Sequence, residues 1–246
     1  MVKQIRLYAT ILVLLGGSMQ MLRGQAALLV LIFGEKVATE NFYFSLKAGV
    51  SYSMITHVDE GKNRIGGNFG LINNIRLTDR LYLTPEFLPL SPRGVRDVPI
   101  LSTGDPELDD LLINPSSTDR KLSYIDVPVL LRYRLTERLM VSAGPQISFL
   151  TGATDTYRSE PLEGVELTTE LDIRDAIKPV DVGAALDISY LFSEPMGGKG
   201  LILYLRYNLG FMDMIKNNSG DPRRNSAIQF GAAFPFIEKQ DRDPDP

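Results

Sequence analysis

Residues 201–211 read LILYLRYNLGF, a stretch in which large apolar side chains alternate with polar or small ones. The apolar set is Leu201, Leu203, Leu205, Tyr207, Leu209 and Phe211, and the opposing set is Tyr204, Arg206, Asn208 and Gly210. Successive side chains of a β-strand point to opposite faces, so this period of two predicts a strand with one apolar face. Its length suits a tilted strand that crosses a bilayer, since about 9–11 residues are enough.

Seven further segments repeat this alternation, which brings the predicted number of strands to eight. They cover residues 42–53, 68–77, 81–87, 124–135, 139–149, 181–192 and 227–236. Short links at 78–79, 136–137 and 193–200 alternate with longer, mostly polar links at 54–64, 91–120, 151–178 and 212–225. Short turns at one end and long loops at the other are typical of outer-membrane barrels. The pattern predicts an all-β fold over residues 42–236: an eight-stranded antiparallel up-and-down transmembrane β-barrel with short periplasmic turns and long outer loops.

Some residues depart from this pattern. Residues 165–173 also alternate, so the third long link could form a hairpin above the membrane, or the strand count could be ten. Asn73 falls on the apolar face, and Pro85, Pro128 and Pro145 lie inside predicted strands. Proline cannot donate to a sheet ladder, and a closed barrel offers no edge to host it. Bulges could absorb these residues.

Aromatic residues of the apolar face concentrate at the strand ends and leave an aliphatic band between them. Two such girdles are typical of a strand that meets lipid interfaces on both sides. A soluble periplasmic lipocalin-like carrier, with its apolar face inward, is the alternative for this alternation. The aromatic residues are Phe42, Phe44, Tyr133, Tyr190, Phe192, Phe234 and Phe236 on the periplasmic side, and Tyr52, Phe69, Phe87, Phe149 and Phe211 on the outer side.

The opposite face is mostly Gly, Ser, Ala and Asn, with a few charges of both signs. The interior of an eight-stranded barrel is just wide enough for side chains to fill, and each buried ion there needs a partner. The sequence therefore predicts a plugged lumen without an open pore, in which charges are paired. The predicted cations are Lys47, Arg76, Arg132, Arg134 and Arg206, and the predicted carboxylates are Glu86, Asp126, Asp181 and Asp187.

The N-terminus is typical of an export signal over residues 1–26. Lys3 and Arg6 precede an uncharged stretch that runs from Leu7 to Leu22, and small residues at Gly24 and Ala26 suit cleavage. Residues 27–41 are then predicted to be an N-terminal periplasmic segment with an apolar run that could form a short helix. Residues 237–246 are predicted to be a polar C-terminal tail. These features predict a protein of the outer membrane of a Gram-negative-type cell envelope.

Composition excludes several classes of function. The formal net charge is −4 and no dense basic patch occurs, which argues against nucleic-acid binding. The chain has no cysteine, which excludes disulfides, thiolate metal sites and cysteine nucleophiles. A single histidine also excludes a multi-histidine metal site. No cofactor is predicted.

A run in the fourth predicted strand resembles the PorT-like outer-membrane β-barrel family. It extends from Ser123 to Tyr133, reads SYIDVPVLLRY, and is followed by Ala143-Gly144-Pro145. The opening FSLKAG of residues 44–49 and the Pro85-Glu86 pair look similar as well. The resemblance covers about residues 42–236 and implies small-barrel architecture of the OmpA type. Named members of the family are implicated in a secretion system, and the shared motifs mark strands, so no functional residue is carried over.

Two local features are candidates for chemistry, and neither has the required pattern. His57 lies in the first outer loop near Ser51 and Ser53, and an outer-membrane hydrolase or acyltransferase would need it beside a nucleophile. The acidic run from Asp105 to Asp110 could attract calcium, but it lacks the ligand spacing and central glycine of an EF-hand loop. We therefore predict no catalytic, cofactor-binding or metal-binding residues.

The predicted function is that of an outer-membrane barrel protein of structural or interaction type, not an enzyme, and an accessory role in protein secretion is compatible with it. Its expected partners are outer-membrane lipid, lipopolysaccharide included, and unidentified envelope or secretion proteins. We expect a monomer. The alternatives are the hydrolase or acyltransferase based on His57 and the soluble lipocalin-like carrier.

Overall fold

The computed structural model describes residues 41–58, 61–97, 117–162, 165–193, 200–217 and 220–236. These residues form nine strands and a 3-10 turn at Arg174–Ala176. In this described part no helix has the length and apolarity needed to cross a membrane. The strands are β1 Phe42–Ile55, β2 Lys62–Arg76, β3 Leu81–Arg96, β4 Ser117–Arg134, β5 Leu139–Leu162, β6 Val165–Asp172, β7 Val180–Ser193, β8 Leu201–Gly210 and β9 Asn225–Phe236.

Eight of the nine strands close into an antiparallel barrel. The order is β4-β3-β2-β1-β9-β8-β7-β5, and an additional β4–β5 pairing joins its two ends. β6 pairs with β5 alone and continues that strand outward as a hairpin. The prediction of an eight-stranded up-and-down barrel is therefore confirmed, and the alternation of residues 165–173 belongs to the hairpin instead of to additional barrel strands.

Two nearly identical hexapeptides form the same short turn at the periplasmic end. Arg76–Leu81 joins β2 to β3, and Arg134–Leu139 joins β4 to β5. The Thr78 hydroxyl accepts hydrogen bonds from two backbone N–H groups, those of residues 80 and 81, at 3.3 and 3.1 Å. The Thr136 hydroxyl does the same for residues 138 and 139, at 3.3 and 3.0 Å. A threonine that satisfies the turn backbone explains why the same motif recurs.

β3, β4 and β5 extend further outward than the sequence predicted. Their ends occupy residues 91–96 and 117–120 of the predicted link 91–120, and residues 151–162 of the predicted link 151–178. In β3 the register shifts between Leu88 and Ser91, and the inward-pointing set changes from even to odd residues. An extra residue in one strand reverses the alternation beyond it, so a strict period of two ends at the bulge although the strand continues.

The three prolines are accommodated by gaps in the ladder and not by bulges. Pro85 pairs in register with Val129 of β4, while its pairing with β2 lapses opposite Asn73. Each proline thus keeps one neighbour and lacks a hydrogen-bonded partner only on its other side, where its missing N–H would have donated. The same arrangement occurs at Pro128 towards β3 and at Pro145 towards β4.

The barrel exposes its apolar face and buries its polar face. Leu205 and Val50, on the outer wall, are 51% and 52% exposed, whereas Lys47 and Arg206, in the lumen, are each 1% exposed. An apolar outer wall around a polar interior is the arrangement of a barrel in lipid. The lipocalin-like alternative requires the opposite orientation and is therefore wrong.

The predicted girdles are largely present on this outer wall. Phe44 departs from the prediction, because it is 7% exposed and packs edge-on against Phe42, with ring centroids 5.3 Å apart. The side chain of Phe236 is outside the described part. The girdle residues with exposed rings are Tyr52, Phe69, Phe87, Phe149 and Phe211 on the outer side, and Tyr133, Tyr190 and Phe192 on the periplasmic side.

Several predictions concern residues outside the described ranges. These are the export signal of residues 1–26, the periplasmic segment except for residue 41, the tail of residues 237–246 and the acidic run of residues 105–110. They stay predictions.

A charge-paired lumen as the candidate functional site

Four charged side chains from β1, β3, β7 and β8 meet in the lumen and form the inner ion cluster, which consists of Lys47, Glu86, Asp187 and Arg206. Arg206 donates from Nη1 and Nη2 to the two carboxylate oxygens of Glu86, both at 2.7 Å. Arg206 Nε also donates to Asp187 Oδ2 at 3.1 Å. Each of the four residues is buried. Two cations offset two carboxylates, which satisfies the requirement that buried ions be paired.

Lys47 contributes charge to this cluster without a direct hydrogen bond to it. Its Nζ lies 3.5 Å from Glu86 Oε2 and 4.0 Å from the centroid of the Tyr204 ring. The Tyr204 hydroxyl in turn donates to Asn68 Oδ1 at 2.8 Å. A cation over an aromatic face is stabilised by the ring quadrupole, so Tyr204 acts as a second partner for the ammonium group.

Nearer the outer end, Arg93, Asp126 and Asp181 form the outer ion cluster. Arg93 Nη2 donates to Asp126 Oδ1 at 2.7 Å, and Nη1 donates to Asp181 Oδ2 at 3.3 Å. The Ser91 hydroxyl donates to the second oxygen of Asp126 at 2.5 Å. The guanidinium lies over the ring of Tyr124, 4.6 Å from its centroid. One cation here faces two carboxylates.

Sequence reasoning missed Arg93 because it assigned this residue to an outer loop. The register shift in β3 reverses the alternation and turns Arg93 into the lumen. A second missed pair is Arg120 with Asp155, whose side chains meet through hydrogen bonds of 2.8 and 2.6 Å. The signal available in the sequence was the renewed alternation of Ser91, Arg93 and Val95 after Pro89.

Three predicted lumen cations do not pair with the lumen carboxylates, which corrects the prediction. Arg132 is buried but donates to Asn74 Oδ1 at 2.8 Å, and Arg134 donates to the Tyr82 hydroxyl at 2.8 Å. Arg76 instead reaches the exposed turn residue Asp79 at 2.6 Å. All three lie near the periplasmic ends of their strands, and among the described residues none of them forms an ion pair with a lumen carboxylate.

Apolar clusters cover the lumen at both ends. At the outer end, the bridge between Ile177 and Ile215 draws two loops inward over the ion clusters. The cavity beside the outer ion cluster has a volume of about 10 Å³, room for about one water molecule. The outer apolar cluster contains Ile55, Val95, Leu122, Tyr124, Ala153, Ile173, Ile177, Met214 and Ile215, and the periplasmic apolar cluster contains Ile72, Met140, Ile202 and Ala233.

His57 has a structural partner in place of a nucleophile. It is exposed with a φ of 56°, and its Nδ1 donates to the Pro222 carbonyl oxygen at 2.9 Å. Ser51 and Ser53 are buried in the lumen, where the Ser53 hydroxyl bonds the backbone carbonyl of Gly94 at 2.9 Å. The described geometry therefore gives the hydrolase or acyltransferase alternative no support. Among the described residues no three His, Cys, Asp or Glu side chains converge to hold a metal ion.

Residues 33–216 match the family model described as outer membrane protein beta-barrel domain. The chain belongs to this family. As an outer membrane protein beta-barrel domain it is a protein of the outer membrane, and the apolar outer wall described above faces lipid. No curated protein matches the chain.

Among solved structures, this beta-barrel domain is similar to small outer-membrane barrels. Ail, the attachment invasion locus protein of Yersinia pestis, is 11% identical with a TM-score of 0.43, and the match covers 80% of this chain and 99% of Ail. Neisserial surface protein A is 12% identical with a TM-score of 0.41, covering 79% and 97%. OprG from Pseudomonas aeruginosa is 10% identical with a TM-score of 0.38, covering 81% and 98%.

Proposed function

We propose that this barrel is a monomeric interaction protein of the outer membrane, closed to transport through its lumen. The single observation that carries the proposal is the filling of the lumen by two ion clusters that lie between the apolar clusters at its two ends. A solute would have to separate buried ion pairs, each of which costs about 3–5 kcal/mol to break. We therefore assign the function to the part of the barrel that faces the outside of the cell.

The test of closure is conductance of the purified protein in a planar lipid bilayer. We expect no steady current above that of the bare bilayer, with a porin of known conductance as the positive control. A stable single-channel current from the wild-type protein would contradict the proposal, because it would require a continuous polar path through the lumen.

The proposed binding surface is the β5–β6 hairpin. β5 has 24 residues, whereas about 9–11 suffice to cross the bilayer, so its outer part extends above the lipid together with β6. Among the described strands, β6 pairs only with β5, and its side chains at Thr168, Thr169 and Glu170 are exposed. An unpaired strand edge can accept a segment from another protein in extended conformation.

A photoreactive residue at Thr169 tests this surface in intact cells. We expect a covalent adduct with an envelope protein at Thr169 and none when the same residue replaces Glu137 in a periplasmic turn. Excess of a synthetic segment of the captured protein should suppress the adduct. Equal labelling at both positions, or none at Thr169, would contradict binding at this edge.

We also propose that lipopolysaccharide contacts the outer rim beside the apolar wall. Lys216 and Arg224 are exposed there, and backbone bonds from Lys178 to Met214 and from Lys216 to Ala176 fix the rim, at 2.8 and 2.9 Å. Cationic side chains in this position suit the phosphate groups of that lipid. The double substitution K216Q/R224Q should remove the extra thermal stability gained in lipopolysaccharide vesicles, while R80Q/R138Q at the periplasmic turns should not.

A role as an accessory of protein secretion is a second proposal. Its support is the resemblance of the Ser123–Tyr133 run to the PorT-like family. The test is affinity purification of the barrel from mildly solubilised membranes, followed by measurement of exported surface proteins in a deletion strain. Co-purification of a large envelope complex together with loss of export would favour this role, and unchanged export would argue against it.

A further inference from the structure

We propose that the lumen contains a site for one small monovalent cation of the sodium class, coordinated by oxygen atoms of Gln146, Asp181, Asn208 and Asn225. The site adjoins the outer ion cluster and is separate from the interaction surface proposed above. All four side chains line the same cavity of about 10 Å³.

The first observation is a set of buried oxygen atoms that lack a donor. In the described part of the chain, no group donates a hydrogen bond to Gln146 Oε1, Asp181 Oδ1, Asn208 Oδ1 or Asn225 Oδ1. The four residues are between 1% and 4% exposed. Burial of an unpaired polar atom costs free energy comparable to a lost hydrogen bond, so a group of four around one cavity indicates a ligand.

The orientation of Asn225 follows from its neighbours. Its Nδ2 donates to Asp181 Oδ2 at 3.2 Å and to the Tyr124 hydroxyl at 3.3 Å. A carboxylate only accepts hydrogen bonds, so the amide nitrogen must face Asp181 and the amide oxygen must face away from it. Asn225 Oδ1 is thereby held as an acceptor.

The second observation is charge. Among the described residues, Arg93 is the cation that pairs with Asp126 and Asp181, so the outer ion cluster has a net charge of −1 when both carboxylates are ionised, whereas Lys47 and Arg206 offset the two carboxylates of the inner ion cluster. Arg93 also donates to the Ser148 hydroxyl at 2.9 Å, so its N–H groups are shared between this hydroxyl and the two carboxylates. A buried excess of negative charge is costly, and one monovalent cation would neutralise this cluster.

A single water molecule does not satisfy this site. Water donates two hydrogen bonds, whereas four oxygen atoms need a donor, and water leaves the net charge unchanged. A cation attracts every oxygen around it at once. Because hard cations prefer oxygen ligands and the cavity is about the size of one water molecule, an ion of sodium size fits its chemistry and volume.

Glycines leave the space for such an ion. Gly183 and Gly210 line the cavity, and a Cβ atom at residue 210 would lie 3.2 Å from Asp181 Oδ2 and 2.5 Å from the Asn225 carbonyl oxygen. A side chain at residue 210 would therefore occupy the approach to the carboxylate.

The experiment measures thermal unfolding of the full-length protein in detergent, in sodium chloride and in choline chloride at equal ionic strength. Sodium should raise the unfolding midpoint of the wild type, potassium should raise it less, and choline should not raise it. Sodium-23 NMR on the same samples should show a saturable bound population of one ion per protein.

The variant D181N should abolish both signals, because it removes the charge that the ion neutralises. D172N, which makes the same change at an exposed residue, should keep both. N208L removes one oxygen while retaining the charge and should weaken sodium binding about tenfold, so it tests the site even if D181N fails to fold. Equal midpoints in all salts without a saturable sodium signal, or a sodium response that persists in D181N or is unchanged in N208L, would overturn the proposal.

Discussion

Glu86 and Arg206 are 120 residues apart in the chain, yet they meet in the lumen through two hydrogen bonds of 2.7 Å. The pair joins β3 to β8 across the interior, between strands that are not neighbours in the sheet. Such a bidentate contact fixes both the distance and the orientation of the two walls. The inner ion cluster therefore ties opposite sides of the barrel together as well as filling it.

The substitution R206M should destabilise the barrel strongly, because Glu86 and Asp187 would keep only Lys47 as a cation. We expect a loss of about 3–5 kcal/mol in the free energy of unfolding, measured by urea titration in lipid vesicles. The double variant E86Q/R206M leaves one cation and one carboxylate and should recover part of the loss. R76M removes the exposed pair with Asp79 and should cost less than about 1 kcal/mol. Equal losses for R206M and R76M would contradict a structural role of the inner ion cluster.

Close packing inside the wall predicts different results at two glycines of β2. A Cβ atom at Gly70 would lie 2.5 Å from the Phe87 carbonyl oxygen and 2.9 Å from Leu88 Cα, whereas at Gly67 the nearest atom would be 3.9 Å away. G70A should therefore lower the free energy of unfolding by about 1–3 kcal/mol, since backbone cannot move aside cheaply. G67A should stay within about 0.5 kcal/mol of the wild type. The measurement is urea unfolding of both variants, and a harmless G70A would show that β2 and β3 are further apart.

Substitution by arginine should have different costs at two leucines of equal exposure, because the two lie at different depths relative to the membrane. Leu205 in β8 and Leu77 in a periplasmic turn are both 51% exposed. L205R should cost about 2–4 kcal/mol in vesicles, because a cation there faces the hydrocarbon, and L77R should cost about 0–1 kcal/mol. Unfolding free energies of the two variants check this difference. Similar costs would show that Leu205 does not face hydrocarbon.

One ion pair outside the membrane has a predictable pH dependence. Asp172 accepts hydrogen bonds from the side chain and backbone of Arg174, which lowers the pKa of the Asp172 carboxyl below its usual value. A lowered folded-state pKa means that the stabilisation is present above the unfolded pKa and is lost as the pH falls through the folded pKa. Carboxyl NMR titration should give a reduced pKa in the wild type and a pKa closer to the ordinary value in R174A, which loses the guanidinium group but keeps the backbone N–H that bonds Asp172. An unchanged pKa in R174A would assign the shift to another group.

Alternation along the chain was sufficient to predict the barrel and most of its lumen. Lys47, Glu86, Asp187 and Arg206 were each assigned to the interior because the period of two decides which side chains share a face. Which of these charges meet was not predictable, because pairing depends on the relative stagger of strands. Arg93 escaped prediction for a different reason: a bulge reverses the alternation, and no residue type marks its position reliably.

The seam between β1 and β9 determines when the barrel can form. These strands form an antiparallel ladder of twelve residue pairs, which extends from Phe44–Phe236 to Ile55–Asn225. Closure must therefore wait until β9 has been synthesised and delivered, because β9 is the strand that pairs with this edge of β1. Until that moment β1 presents an open edge that could pair with another chain. Loss of β9 alone would leave the edges of β1 and β8 open and the chain prone to aggregation, instead of giving a smaller barrel. Pairing of β9 with β1 is therefore the step that commits the protein to its native state.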